Sequence, residues 1–312
     1  MQPLMKFRVG DLIITRIPEQ AMEVADVETM FPYDDATALL HDVIRWGDRV
    51  YDIQRKRLRQ SIHSWLVQTP SLTVLIDTGS GNDKDRPGAP LFDHLHTPYL
   101  AYLDAAGVAA SDIDSVLMTH LHADHVGWNT VLDDGRWQPT FPHARYVLSR
   151  REFEYNAALS AGDSGRVRQL ISERGEGEPH HFPRGGILED SLQPVVDAGL
   201  VDFITVGDSV EGFTFHASPG HSFDHASIAV TSRGQTALFW GDVMHHPVQV
   251  RHPHVNSRYC EFLPAAIASR ERMIAYALQH KAMVFTSHFG GSGAGRLQRT
   301  GSGIEWQFAL PD

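Results

Sequence analysis

Cysteine is almost absent from this chain, since Cys260 is the only one among 312 residues. A single thiol excludes an internal disulfide and is consistent with a reducing compartment. Long apolar runs are missing as well, because none approaches the roughly 20 residues that a membrane span needs. Residues 1–8 also lack the apolar core of a signal peptide. We therefore expect a cytoplasmic protein without a membrane partner.

Basic residues are fewer than acidic residues in this chain. The chain carries 27 Lys and Arg against 38 Asp and Glu, which gives a formal net charge of -11. Such a surface repels polyanions, so we expect neither a nucleic acid nor an anionic membrane as a partner. The charge places no such restriction on a small neutral molecule, and a small-molecule substrate is the partner that we expect.

No linker rich in Pro, Gly and Ser divides the chain, and we predict a single α/β domain over residues 1–312. Two segments fit this domain less well. Residues 19–60 have no sustained period and predict a solvated arm, whose apolar residues either dock on the core or form a homodimer contact or a pocket wall. Residues 160–186 are crowded with Gly, Arg and Glu, and they predict a surface loop or a lid.

Strands and helices are predicted in both halves of the chain. Thr69-Pro70-Ser71 indicates a hairpin turn between two strands, and Ser149 followed by Glu152 has the form of a helix capping box. The predicted strands are residues 7–9, 12–17, 62–68, 72–77, 115–119, 145–148, 201–206, 213–217, 226–231, 236–240 and 283–287. The predicted helices are residues 99–106, 150–159 and 264–279, and a hairpin closes the chain.

Histidine is abundant, with 19 residues, and it is clustered. The stretch from His120 to His125 reads His-Leu-His-Ala-Asp-His and follows the apolar run Val116-Leu117-Met118. Side chains alternate along a strand, so His120 and His122 point to the same side, and Asp124 and His125 follow in the next turn. Imidazole and carboxylate together suit zinc better than calcium or magnesium. We expect this strand end to begin two metal sites.

This His-x-His-x-Asp-His string resembles the signature of the metallo-β-lactamase-fold hydrolases. Further apolar runs that end in a single ligand-type residue follow in the order of that family, at His221, Asp242 and His288. Upstream, Val74-Leu75-Ile76-Asp77-Thr78-Gly79 is similar to the family's strand that ends in Asp-Thr-Gly. The resemblance implies a four-layer αββα sandwich.

The resemblance also implies how the ligands divide. One metal ion would be held by His120, His122 and His221. The other would be held by Asp124, His125 and His288. Asp242 would bridge the two ions, because a carboxylate has two oxygens and an imidazole cannot span two cations without losing its proton. Asp77 would accept the second N–H of a ligating imidazole and so orient the ring.

The chemistry implied by this resemblance is hydrolysis. Two divalent ions, with zinc favoured and manganese, iron or cobalt also accepted by such ligands, would share a hydroxide that attacks a lactone or ester carbonyl. Asp124 would then relay a proton to the leaving alkoxide. The similarity is greatest to the acyl-homoserine lactonase and methyl parathion hydrolase-like branch. A quorum-quenching type of lactonase is therefore the predicted enzyme.

Two other functions remain open from the sequence alone. A phosphotriesterase or phosphodiesterase could use the same dinuclear site, because a hydroxide of this kind also attacks phosphorus. A metal-binding protein without turnover is the alternative of another class, although it would have no need to retain a full set of buried charges. For the substrate pocket, Trp128 and His245 are the candidate residues.

Overall fold

Two β-sheets form the centre of the protein. The computed structural model describes residues 3–183 and 186–312. The strands of the first sheet are, in order across it, Lys6–Val9, Leu12–Glu23, Arg57–Gln68, Thr73–Ile76, Ser115–Leu117, Arg145–Ser149 and Val201–Ile204, and Tyr51–Asp52 pairs with Arg57–Gln68. Those of the second sheet are Ser209–Val210, Phe213–Ala217, Ala226–Ser232, Gln235–Phe239, Met283–Phe285, Ala294–Thr300 and Gly303–Phe308. Thr130–Asp133 and Arg136–Pro139 form a separate small hairpin.

Side chains from both sheets form a shared apolar layer between them. Trp65 of the first sheet lies with its ring centre 4.9 Å from that of Phe285 in the second sheet. Phe7 packs edge-on against the same Phe285 ring at 5.8 Å. Because strand side chains alternate, the opposite face of each sheet is left for other elements to cover.

Helices cover those outer faces. Tyr99 and Leu103 of the helix Tyr99–Ala105 pack with Leu66 and Leu75 of the first sheet, and the helix Leu263–Gln279 packs on the second. The four-layer αββα sandwich expected from the sequence is therefore confirmed. The remaining α-helices are Val27–Met30, Ala36–Val43, Ala123–Val126, Arg150–Ser160, Ser164–Arg174, Gln193–Asp197 and Val248–Arg251. The 3-10 segments are Ile44–Arg49, which is interrupted by a kink at Gly47, Ala110–Asp112, Gly127–Asn129 and Gly241–Val243, and a π-turn lies at Leu188–Leu192.

Residues 19–60 contain more buried residues than a solvated arm would have. The segment begins inside the strand Leu12–Glu23, and two short helices follow it. Met30 and Phe31 of this region are fully buried, in a cluster that also contains Leu58 and Val248. Part of the segment is therefore docked on the core, next to the chain that follows Asp242, whereas Tyr33, Leu40 and Ile53 are exposed.

Residues 160–186 contain a helix that the sequence analysis did not predict. Ser164–Arg174 is helical, with the Asp163 carboxylate accepting from the Arg166 N–H at 2.9 Å and Gly175 in the left-handed conformation at its end. Val167, Leu170 and Ile171 are its buried residues. Positions 184 and 185 of the predicted loop lie outside the described residues, as do positions 1 and 2 of the opening segment. Among the helices described, none has both the length and the apolar character that crossing a membrane requires.

Candidate metal centre

The residues from His120 to His125 lie just past the end of a central strand of the first sheet. The strand ends at Leu117, and His122 occupies the position before the short helix Ala123–Val126, which carries Asp124 and His125. This helix is followed by Gly127, which lies directly against the backbone of Ser80. A Cβ atom at position 127 would come within 1.8 Å of the Ser80 carbonyl oxygen. A glycine is thus required behind the cluster.

The three remaining predicted ligands follow strands of the second sheet. His221 follows Phe213–Ala217, Asp242 follows Gln235–Phe239 and His288 follows Met283–Phe285. The two sheets face each other, so these strand ends meet the end of the strand Ser115–Leu117. The structure brings all seven predicted ligands together.

The side chains form two groups, as the resemblance implies. The ligating atoms of His120, His122 and His221 all lie within 4.8 Å of one another, and so do those of Asp124, His125 and His288. In the first group, His122 Nδ1 lies 2.8 Å from His221 Nε2. In the second, His125 Nε2 lies 3.3 Å from His288 Nε2. These distances are short enough for N–H···N hydrogen bonds between rings that face one another.

Asp242 lies between the two groups. Its Oδ2 is 3.1 Å from His221 Nε2 in the first group and 2.9 Å from His288 Nε2 in the second. Its Oδ1 is 3.4 Å from His125 Nε2. The Asp242 backbone N–H donates to His225 Nε2 at 3.0 Å, which holds the residue in place. One carboxylate therefore reaches both sets of imidazoles.

The charges within the cluster are strongly coupled. Burial opposes ionisation of Asp242, but the adjacent His288, His125 and His221 outweigh it and hold the pKa of this carboxyl well below its usual range. Burial likewise lowers the pKa of His120, and the neighbouring imidazoles add to the effect. For His125 the carboxylates around it outweigh burial, so its pKa is raised well above the ordinary value. The imidazoles and carboxylates of the cluster therefore act on one another's protonation.

These residues fit divalent metal ions. His120 Nε2 is buried and has no hydrogen-bond partner among the described residues, although it faces the other two imidazoles of its group. Buried ring nitrogens normally have a partner, and a metal ion would supply one. Imidazole nitrogens with a few carboxylates are the donor set of zinc and its first-row neighbours. The first group would hold one ion, the second would hold another, and Asp242 would contact both.

Asp77 lies behind His125 and contacts Thr119 as well. Its Oδ2 lies 2.9 Å from His125 Nδ1 and also accepts from the Thr119 hydroxyl at 2.8 Å, while Oδ1 accepts from the Thr119 N–H at 2.8 Å. His288 Nδ1 is oriented separately, at 3.1 Å from the Ser61 carbonyl oxygen. Both imidazoles thus have one nitrogen engaged with the protein, and the other nitrogen faces the cluster.

Glu261 has a similar position behind His122, and the sequence analysis missed it. Its carboxylate is fully buried, with Oε1 2.9 Å from His122 Nε2 and Oε2 accepting from the Tyr155 hydroxyl at 3.1 Å. Burial raises the pKa of Glu261 to about 8, against the effect of His181 and of the Tyr155 hydroxyl. The only sequence feature that could have identified Glu261 is an acidic residue between Cys260 and Phe262, just before an apolar helix.

The two candidate pocket residues differ in their surroundings. His245 is 2% exposed, and its Nε2 lies 3.3 Å from Asp242 Oδ2 without hydrogen-bond geometry. Its ring stacks 5.5 Å from that of His288. Trp128 is also buried, but it stacks on Tyr99 at 5.1 Å and donates its indole N–H to Glu19 at 2.6 Å. Trp128 therefore has the contacts of a packing residue, whereas His245 is next to the cluster.

The fold and the site together define a class, an αββα protein with a candidate dinuclear metal centre between its sheets. The profile of the Metallo-beta-lactamase superfamily matches residues 58–288. The chain belongs to this superfamily, as its motifs predicted. That membership also supports the prediction of an enzyme.

The curated relatives are distant. A probable metallo-hydrolase of Mycobacterium bovis is 26% identical over 193 residues, which cover 59% of this chain and 57% of that protein. An N-acyl homoserine lactonase, AttM, of Azorhizobium caulinodans is 31% identical over 134 residues, covering 42% and 41%. The matched parts thus span 57% of the length of the first relative and 41% of the length of the second.

Solved structures support the fold over the whole chain. The crystal structure of the hydrolase AbOPH has a TM-score of 0.75 at 22% identity, covering 100% of this chain and 98% of that one. AidC, a dizinc quorum-quenching lactonase in complex with a product, has a TM-score of 0.72 at 23% identity, covering 98% and 97%. These TM-scores establish a shared fold, and at identities this low they establish nothing further.

Proposed function

We propose that the chain is a metal-dependent hydrolase that opens a lactone or cleaves a carboxylic ester. The observation that carries this proposal is the position of Asp242, whose Oδ2 lies 3.1 Å from an imidazole of the first group and 2.9 Å from one of the second. Two ions held by these groups would share that carboxylate, as in dinuclear hydrolytic sites. Zinc is the metal that the donor set favours.

The ions would supply the electrophilic part of the chemistry. Bound there, two divalent ions lower the pKa of a water molecule towards neutrality and polarise the carbonyl that it attacks. The protein residues hold the ions, exclude bulk water and move the proton. Apart from Asp124 and His122, whose side chains are 16% and 15% exposed, the ligand residues are at most 6% exposed. Substrate therefore approaches from the side of these two residues.

Asp124 is the residue that we assign to proton transfer. Its carboxylate is the more exposed of the two acids in the cluster, at 16% against 3% for Asp242. A carboxylate in that position can accept a proton as the carbonyl is attacked and deliver it to the departing alkoxide oxygen. In a lactone that oxygen stays attached to the product, so the result of the reaction is a hydroxy acid.

His245 is the pocket residue that we assign to the substrate. Neither of its ring nitrogens has a hydrogen-bond partner among the described residues, and the ring lies between Asp242, His288 and Tyr259. A buried imidazole of this kind can donate a hydrogen bond to an oxygen of the acyl group. The names of AttM and AidC, which are both called lactonases, support a lactone as the substrate class.

A substrate panel tests the proposal. Protein of measured metal content is given acyl-homoserine lactones, aryl esters and neutral phosphotriesters, and the products are identified by mass spectrometry. We expect the lactones or esters to react fastest, each lactone yielding a product heavier by one water. Faster hydrolysis of the phosphotriesters would assign the site to phosphorus chemistry, and metal-loaded protein without turnover on any of these substrates would contradict the proposal.

A further inference from the structure

Behind the first group of imidazoles lies a buried acid, Glu261, whose two oxygens are both engaged. Oε1 is 2.9 Å from His122 Nε2, and Oε2 accepts from the Tyr155 hydroxyl at 3.1 Å. Tyr155 is itself fully buried and stacked on Phe223 at 4.5 Å. A carboxyl group without access to solvent needs such partners, because a buried polar group that is left unpaired is destabilising. Its position is therefore determined by the phenol on one side and the imidazole on the other.

The contact with Glu261 determines which nitrogen of His122 faces the cluster. An imidazole that donates its Nε2–H to a carboxylate presents an unprotonated Nδ1 on its other side. In this structure His122 Nδ1 faces inward, 2.8 Å from His221 Nε2. If the carboxylate were absent, neither the tautomer nor the rotation of the ring would be fixed by a charged partner.

The backbone around Glu261 also supports the second imidazole of the group. The Glu261 N–H donates to the His221 carbonyl oxygen at 3.2 Å, and the Phe262 N–H donates to the Gly220 carbonyl oxygen at 2.8 Å. The segment that orients the ring of His122 thus also positions the main chain of His221. Two of the three imidazoles in the first group depend on one short stretch of chain.

We propose that Glu261 is a positioning residue that sets the metal affinity and the ring geometry of the His120, His122 and His221 group. Asp77 has the corresponding place behind His125 in the second group, at 2.9 Å. Each group then has its own carboxylate, so the two can be weakened separately. This inference rests on the proposed function only in that it requires the cluster to bind metal.

The test is a metal titration of the purified full chain that does not depend on turnover. Zn²⁺ binding is measured against a competing chelator for the wild type, Glu261→Gln and Glu261→Ala, and Co²⁺-substituted samples are compared by their visible absorption. We expect both variants to keep one metal equivalent at wild-type affinity and to bind the other about 10- to 100-fold more weakly. The alanine variant should be the weaker of the two, because glutamine can still accept the N–H of His122.

Glu152→Gln is the matched control. Glu152 is a buried acid in the same region whose charge acts on His122 from a greater distance, but its carboxylate accepts from the backbone N–H of Asp224, and it has no hydrogen bond to a ligand imidazole among the described residues. We expect it to bind two equivalents with a smaller loss of affinity than Glu261→Gln, and with an unchanged Co²⁺ spectrum because no ligand ring loses a hydrogen-bond partner. Tyr155→Phe should give a smaller loss than Glu261→Ala, confined to the same equivalent.

The outcomes separate this inference from the proposed function. Wild-type affinity for both equivalents in folded Glu261→Ala would overturn the positioning role, as would an equal loss in Glu152→Gln. A wild-type protein that binds no Zn²⁺ would instead overturn the proposed function itself. Circular dichroism of each metal-free variant shows whether it folds, and the isosteric Glu261→Gln keeps the test decisive if the alanine variant does not.

Discussion

At the scale of single residues, the four carboxylates of this site differ by what each one contacts. Asp242 reaches imidazoles of both groups, Asp124 is partly exposed, and Asp77 and Glu261 each lie behind one histidine. The same functional group thus has separate tasks, which the surroundings determine. Substitutions at these positions should therefore have different effects.

Replacement of Asp124 by Asn should affect proton transfer most. The amide keeps the size of the side chain but cannot carry a proton to the alkoxide, so we expect kcat on a lactone to fall by roughly 10²- to 10⁴-fold. Metal content is measured alongside, with Zn²⁺ in excess, because Asp124 also belongs to the second group. Asp104→Asn, on an exposed position of the helix Tyr99–Ala105, is the control and should retain wild-type rates. Full turnover at full metal content in Asp124→Asn would refute the assignment.

Lys84 allows a prediction about pH that is independent of the metal cluster. Its ammonium group is buried, donates to the Thr130 hydroxyl at 2.6 Å and lies 3.5 Å from the ring centre of Trp137. Burial lowers the pKa of Lys84 to about 7 from the ordinary lysine value of 10.5. Between these values the unfolded chain holds a proton that the folded chain lacks, so raising the pH across this interval stabilises the fold.

We therefore expect the stability difference between the wild type and Lys84→Met to change with pH. The free energy of unfolding of the wild type, relative to the variant, should rise from about pH 7 to about pH 10 and be flat below pH 7. Urea unfolding followed by fluorescence at several pH values measures it. A difference that stays constant over the whole interval would show that Lys84 has an ordinary pKa in the folded protein.

All seven ligand candidates could be named from the sequence because the string from His120 to His125 and the later runs that end in single ligand-type residues resemble the signature of the metallo-β-lactamase fold. The apolar runs alone would not have separated these residues from other buried or surface histidines. The hydrogen-bond partners of the imidazoles, in contrast, could not all be predicted from the sequence. Glu261 comes from a segment 139 positions beyond His122, and a lone acid before a helix is not distinguishable from a surface residue until the chain has folded. Which nitrogen an imidazole presents follows from such contacts.

At the scale of elements, the approach of one loop to one helix positions His221. Gly220 has a φ of +124°, and a Cβ atom there would lie 2.1 Å from the Ala266 backbone nitrogen in the helix Leu263–Gln279. The Ser269 hydroxyl of that helix donates to the Pro219 carbonyl oxygen at 2.6 Å. The loop that ends in His221 is therefore fitted directly against the helix backbone, and no side chain can be accommodated between them.

Gly220→Ala should consequently destabilise the fold and displace His221. The backbone conformation alone costs roughly 1–3 kcal/mol, and the overlap with the helix adds to it. Gly303→Ala is a matched control, because Gly303 has the same φ of +124° with open space around the added Cβ. Urea unfolding and Zn²⁺ stoichiometry measure both effects. Equal destabilisation by the two substitutions would show that the close approach to the helix contributes nothing.

The sequence predicted elements well where the apolar pattern was strong. The helix predicted over 264–279 is observed as Leu263–Gln279, and the hairpin turn predicted at 69–71 joins Arg57–Gln68 to Thr73–Ile76. The helix Ser164–Arg174 was missed because only three of its residues are buried. Its end signals, Asp163 and Gly175, were present, but the polar composition between them is also typical of a loop.

At the scale of the whole molecule, the cluster connects the two sheets. His120, His122, Asp124 and His125 follow a strand of the first sheet, whereas His221, Asp242 and His288 follow strands of the second. Ions held between these residues would add contacts across the interface of the sandwich. They would also remove the repulsion among closely spaced imidazoles.

Removal of metal should therefore lower the stability of the whole protein. A ligand that binds only the folded state adds about 2.7 kcal/mol at one hundred times its Kd. We expect the thermal midpoint to fall on treatment with a chelator and to recover with Zn²⁺. Mg²⁺, which prefers oxygen ligands, should not restore it. Identical midpoints with and without chelator, in protein shown to have lost its metal, would contradict this coupling.

The distribution of the ligands along the chain also affects how the protein is made. His120 to His125 leave the ribosome long before His288, because 163 positions separate His125 from His288. A nascent chain released as far as Asp242 already carries every imidazole of the first group, while the second still lacks one. Metal loading during translation would then be ordered, with the first group completed earlier and the second only after the strand Met283–Phe285 has emerged.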